Sequence, residues 1–209
     1  MLYDSVYRIM KRREGDLMSD AATLVRAARR SRNLTQRELS RRAELSQPRV
    51  ALTERHRTDP RFDTVARLLA GSGHRLYAAP TTRDDVATVA ADIRSALQRD
   101  EPRLALRLYI QMNDNLVAER GLVRGVLAVT EPELTGVKVW DAAIAALVAY
   151  RLNQEAVPLP AWVDEERRSL QRAGSLRVDP ADPVPQPSEV PQEFLDRGVL
   201  VWRDTLESV

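Results

Sequence analysis

At 209 residues, with 44% hydrophobic and 30% charged side chains, the chain can form one large domain or two small ones and is too apolar for wholesale disorder. It has no cysteine, which excludes disulfides, cysteine-ligated zinc and thiol nucleophiles, and its two histidines, His56 and His74, are isolated. The net charge of +2 hides an asymmetry: residues 18–80 carry 13 arginines against 6 acids, whereas residues 81–209 carry 15 basic and 21 acidic side chains. A basic module joined to an acidic remainder suits phosphate contact by the first part and a different role for the second.

Aromatic residues make up only 5%, so a core of Leu, Val and Ala, and hence helices, is expected. No apolar run approaches the roughly 20 residues that span a bilayer. The start MLYDSVYRIMKRREGD lacks the apolar core of a secretory signal. No membrane association and a cytoplasmic location are therefore expected. Residues 1–18 form an N-terminal extension with a Lys11-Arg12-Arg13 cluster, read either as a basic arm or as a stretch upstream of a start at Met18.

Helical periodicity begins at Ser19 and runs to about Ser31, with Leu24, Val25 and Ala28 on one stripe; Asn33 suits the left-handed position that ends a helix. Thr35-Gln36-Arg37-Glu38 is a capping box, in which the Thr and Glu side chains satisfy each other's free backbone donors, and it opens a helix over about 35–43. Ser46 is placed to cap a second helix, about 46–56, with Pro48 in its first turn. Only Glu44 and Leu45 lie between, a tight turn. That is helix-turn-helix spacing, and it points to double-stranded DNA. The loop Arg57-Thr58-Asp59-Pro60 leads to a helix over about 61–70 carrying Phe62, Val65, Leu68 and Leu69 and ended by Gly71 and Gly73. His74 to Tyr77 reads as a short strand or extended exit, and Pro80 closes a domain of residues 19–80.

Winding the second helix of the pair at 100° per residue puts Val50, Thr53 and Glu54 inward and Pro48, Ala51, Leu52 and Arg55 outward, with Gln47 and Arg49 flanking. In a major groove Gln reads adenine, Arg reads guanine, and Leu52 packs against a thymine methyl. Gln36, opening the preceding helix, is placed to bond a phosphate, and Arg55, Arg57 and Arg61 to add phosphate contacts from the flank.

Residues 21–79 resemble the Cro/lambda-repressor (XRE) helix-turn-helix family at Leu34, Thr35, Gln36, Leu39, Leu45, Ser46, Val50, Glu54 and Pro60. They depart from it at Ser40 in place of Ala, Glu44 in place of the turn Gly, Thr53 in place of an aliphatic residue and His56 in place of Gly. Glu44 matters most, because that turn position often needs a positive φ that only glycine adopts freely. The resemblance implies an all-α, five-helix lambda-repressor-like domain and a sequence-specific regulator, an autorepressor bound as a homodimer to a palindromic operator. It also implies that inward-facing Glu54 forms a structural ion pair with Arg29 of the first helix.

Residues 81–177 read as a helical bundle for partner binding, dimerisation or effector sensing. Val86, Val89, Ile93 and Leu97 follow a cap pattern at Thr82–Asp85, and Pro102 opens a helix to about Glu119. Residues 121–130 are ambiguous, residues 138–152 form the most apolar helix, and Asp164 to Gln171 suggests one more short, charged helix. Residues 178–209 read as a proline-rich linker, five prolines in 178–191, and an apolar tail around Trp202 that either docks on its own bundle or is held out for a partner. The bundle or this tail is expected to supply the two-fold contact. The whole arrangement, ending in Arg197-Gly198-Val199 and Leu206-Glu207-Ser208-Val209, resembles antitoxin-type regulators of bacterial toxin–antitoxin operons, which implies a cognate toxin as protein partner. The alternatives are a one-component repressor whose bundle senses a small molecule, or one whose C-terminal region only dimerises. No phosphate loop, nucleophile elbow or spaced metal ligands occur, so no enzymatic activity, cofactor or metal is expected.

Overall fold

The computed structural model describes residues 17–55, 57–76, 79–179 and 181–207; the Lys11-Arg12-Arg13 cluster and His56 lie outside them. The protein is predominantly helical, with nine α-helices and one pair of two-residue strands among the described residues. It divides into two compact units, residues 1–78 and 79–209. No helix among the described residues is long and apolar enough to cross a membrane.

In the first unit α1 (Leu17–Arg30) and α2 (Gln36–Arg42) each pack against α3 (Gln47–Glu54) and α4 (Phe62–Gly71). Their shared core is Val25, Ala28, Leu39, Ala43, Val50, Val65, Leu68 and Leu69. The five helices expected for this domain are four among the described residues. Gly73 turns to φ +75 after α4, and the Gly73 and His74 N–H groups donate back to the Ala70 and Leu69 carbonyls, which ends that helix.

The two helix starts at the centre of this unit differ. At α2 the full capping box forms: Thr35 Oγ1 accepts from the Glu38 N–H, and Glu38 Oε2 accepts from the Thr35 N–H at 2.7 Å and its hydroxyl at 2.8 Å. The backbone bond from Thr35, then the one from its side chain, hold the Glu38 carboxyl below its usual range. At α3 Ser46 occupies the cap position but makes no side-chain cap bond, contrary to the sequence expectation. Pro48, free of any need for a donor partner in the first turn, helps start that helix instead.

The turn between α2 and α3 places Glu44 at φ +53, and Arg67 of α4 donates to both the Ala43 and Glu44 carbonyls at 2.9 Å. Gly71 lets α4 approach this turn, since a Cβ there would lie 3.0 Å from the Ala43 nitrogen. The Glu44 carboxylate reaches Arg67 only at 3.9 Å and in solvent, a contact of little weight. Glu44→Gly is therefore expected to raise stability by about 1 kcal/mol, because it relieves a left-handed residue that has a Cβ. Urea unfolding measures this, and an unchanged or lower midpoint would show that the turn is unstrained.

The second unit contains α5 (Val86–Gln98), α6 (Pro102–Ala118), α7 (Gly121–Val129), α8 (Lys138–Asn153) and the short α9 (Gln192–Leu195). Residues 140–149 of α8 are all buried; they are apolar apart from Asp141, whose carboxylate accepts from the Thr135 N–H and hydroxyl. The Tyr109 hydroxyl of α6 donates to the Ala143 carbonyl at 2.9 Å, and its ring meets Trp140 edge-on. Burial pushes that phenol well above its usual range. The ambiguous stretch 121–130 is helical as α7.

The single helix expected over 164–171 is instead two short 3-10 turns, Ala161–Asp164 and Glu166–Arg168, separated by extended Glu165. Side-chain burial prevails over helical continuity here. Trp162 donates from Nε1 to the Ala128 carbonyl at 3.1 Å, and the fully buried Arg168 stacks over the Trp162 ring at 4.9 Å.

Residues 178–209 are not a separate linker and tail. Pro185, Val190 and Pro191 are buried, and Phe194, Val199, Val201 and Leu206 belong to the same core as α8. The strand β2 (Val199–Leu200) runs parallel to β1 (Gly174–Ser175). Gly198 precedes it at φ +70, where a Cβ would lie 2.9 Å from the Leu170 carbonyl oxygen. Near the C-terminus the Leu206 carbonyl accepts from Asn113 of α6 at 3.1 Å and from Arg151 of α8. Of the two sequence readings of the tail, the structure adopts docking on its own bundle.

Candidate nucleic-acid interface

The outer face of α3 follows from which of its residues the core takes. Val50, Thr53 and Glu54 are buried, while Gln47, Pro48, Arg49, Leu52 and Arg55 are exposed and Ala51 is half-buried. Positions 48, 51, 52 and 55 thus share one surface stripe, at i, i+3, i+4 and i+7. Leu52, 39% exposed, is an apolar side chain in the middle of a polar face. Arg57 and Arg61 are exposed in the following loop, as are Arg37, Arg41 and Arg42 on α2.

One carboxylate sets the orientation of α3. Arg29 grips Glu54 bidentately, Nε to Oε1 at 2.7 Å and Nη2 to Oε2 at 3.0 Å, and its Nη1 donates to the Leu34 carbonyl at 2.7 Å. Gln36 Nε2 donates to the same Oε2 at 2.8 Å, and Arg26 donates to the Glu54 backbone carbonyl. Glu54, only 1% exposed, thereby ties the end of α3 to α1 and to the start of α2. A bidentate guanidinium–carboxylate pair is among the stronger hydrogen-bonded contacts in proteins, and it leaves neither charge bare.

Two candidate contact residues sit differently from the sequence reading. The Gln36 amide is turned inward onto Glu54 instead of outward toward a phosphate. Arg49 is exposed but leans back on α4, its Nη2 donating to Thr64 Oγ1 at 3.2 Å, so its guanidinium is braced across the helix pair. Arg26, Thr64 and Arg67 position this face, and the sequence reading missed all three. Their partners lie 15 to 28 residues away, beyond any local pattern. The available signal was that Arg26 sits one turn before Arg29 on α1.

His74 lies at the α4 exit, its ring nitrogens within hydrogen-bond distance of Ser72 and Ser31. Among the described residues no group of three or more His, Cys, Asp or Glu side chains is placed to hold a metal ion. No family model, no curated protein and no solved structure matches the chain.

Proposed function

We propose that the protein is a sequence-specific, double-stranded-DNA-binding transcriptional regulator, with α2 and α3 acting as a lambda-repressor-like helix-turn-helix and α3 as its reading helix. The supporting observation is the exposed face of α3, carrying Gln47, Pro48, Arg49, Leu52 and Arg55 and held at a fixed orientation by buried Glu54. Gln47 and Arg55 offer bidentate donors to base edges, and Leu52 an apolar contact for a thymine methyl. Arg57 and Arg61 supply charge for flanking phosphates. Gln36 acts indirectly, by fixing Glu54, and Arg49 reads a base or a phosphate by leaving Thr64. Two copies on a palindromic operator would give the site its length and its specificity, and autorepression its regulatory sense. By sequence resemblance, the proposal extends to a cognate toxin as protein partner of the second unit.

A mobility-shift titration on duplex from the region upstream of the protein's own gene tests this. Arg49→Ala and Leu52→Ala are each expected to weaken binding by roughly 1–3 kcal/mol. Both side chains lie at the surface, and the stability lost is expected to stay below the loss in binding, Arg49 giving up its bond to Thr64 Oγ1 and Leu52 a partly covered side chain. Absence of a shift would refute DNA binding at this region, and full affinity in both variants would remove α3 from the readout.

A further inference from the structure

The outer side of α2 is strongly basic. Arg37, Arg41 and Arg42 are exposed on it, and Glu38 is the only acid of the helix. That carboxylate is already committed: Oε2 accepts from the Thr35 N–H and hydroxyl, and Arg41 and Arg42 add only a lesser pull. Glu54 is buried against Arg29, and Glu44 faces Arg67 of α4. Among the described residues no carboxylate lies within ion-pair distance of Arg37, Arg41 or Arg42. Arg37 and Arg41, four residues apart, share one face of the helix, and like charges at that spacing disfavour it. A bound polyanion would reverse the sign of that contribution.

This ridge is continuous with the exposed face of α3. The bond from Gln36 Nε2 to Glu54 Oε2 at 2.8 Å sets the first turn of α2 against the last turn of α3. Arg37 and Arg55, the next residues on the two helices, are both exposed, so positive charge runs from the end of α3 onto α2. Neither Arg37 nor Arg41 is among the positions that carry the family resemblance, so this charge belongs to this chain.

We infer that Arg37 and Arg41 grip backbone phosphates of duplex DNA beside the bases that α3 reads, in contacts that hold whatever the sequence. The inference rests on the DNA-binding reading of α3 and deepens it. The face of α3 supplies discrimination between sequences, and the ridge on α2 supplies affinity common to all of them. The Cβ atoms of two residues at this spacing are about 6 Å apart, the order of the step between neighbouring phosphates of one strand. That regular spacing and the continuity with α3 favour a duplex over an acidic protein. Each guanidinium set on a phosphate releases condensed counterions, so the contacts are visible in the salt dependence of binding.

Fluorescence anisotropy of the full chain on a labelled mixed-sequence duplex of about 30 base pairs, repeated between about 50 and 200 mM salt, tests this. Arg37→Gln combined with Arg41→Gln should weaken binding at least about tenfold at the low-salt end. It should also lower the slope of log affinity against log salt by about 2 per bound copy. The same loss is expected on duplex from upstream of the protein's own gene, so the ratio of the two affinities stays constant, whereas Leu52→Ala should change that ratio. Arg37→Lys combined with Arg41→Lys keeps both charges and should keep the slope. Arg103→Gln combined with Arg107→Gln removes the same charge from an exposed pair at i and i+4 on α6 of the second unit, and should leave the slope unchanged. The urea midpoint of the Arg37/Arg41 glutamine variant should not fall, because a repulsion is removed. An unchanged slope in that variant, with the native chain bound to DNA, would overturn this inference alone and leave the ridge to an acidic protein. An equal loss from the α6 pair would reduce the effect to net charge and overturn it as well. If the native chain binds neither duplex, the DNA-binding reading falls and this inference with it.

Discussion

Glu54→Ala is expected to destabilise the first unit by about 3–5 kcal/mol, the range for breaking one side of a buried ion pair. The substitution strands Arg29, whose side chain is 13% exposed, and frees the Gln36 amide and one end of α3 at the same time. Domains commonly have only about 5–15 kcal/mol of stability in total, so a loss of this size removes a large share of the reserve. Urea unfolding followed by circular dichroism reads this directly. Arg29→Ala should fall in the same range, and the double replacement should lose less than the sum of the two, because the pair is a single interaction. A loss below about 1 kcal/mol for Glu54→Ala would mean that α3 is held by its apolar contacts alone.

The second large effect is expected at Phe194. This side chain is fully buried and meets the Tyr150 ring edge-on, with centroids 6.2 Å apart. Phe194→Ala should cost about 3–5 kcal/mol, as truncation of a buried aromatic does. A proline linker with a free tail would give almost no loss at this position, so the measurement separates the docked arrangement from an extended one. Differential scanning calorimetry of the full chain can show whether the affected transition belongs to the second unit while that of the first is unmoved.

The features that were legible in the sequence are those fixed by neighbours a few residues away. The Thr35–Glu38 capping box, the left-handed Asn33 and the inward set Val50, Thr53 and Glu54 all depend on spacings of four residues or fewer. Gln36 shows the limit. Whether the first side chain of a helix turns toward solvent or inward is decided by its partner, and Glu54 lies 18 residues on. Ser46 looked equally good as a cap, yet nothing in its own residue type ensures that the hydroxyl turns to the helix. Over 164–171 the charged residues suggested a helix, whereas Trp162 and Arg168 found better partners inside the bundle than a continuous helix would allow. In the last 32 residues the prolines masked a tertiary fact, that Val190, Phe194 and Leu206 complete a core begun near Val86. Two glycines and three valines made α7 ambiguous by local propensity, and packing resolves it.

The route of the chain through these two cores also bears on how the protein is made. The first unit's core runs from Val25 to Leu69, so everything it needs has emerged before the second unit begins. The second unit's core runs from Val86 to Leu206 and cannot close until Leu206 has emerged. Domains fold as units as they leave the ribosome. A nascent chain stalled after α8 would carry a finished first unit beside an open second one, with an apolar helix uncovered for chaperones and proteases. Only a chain that already includes residues 190–206 would hide it.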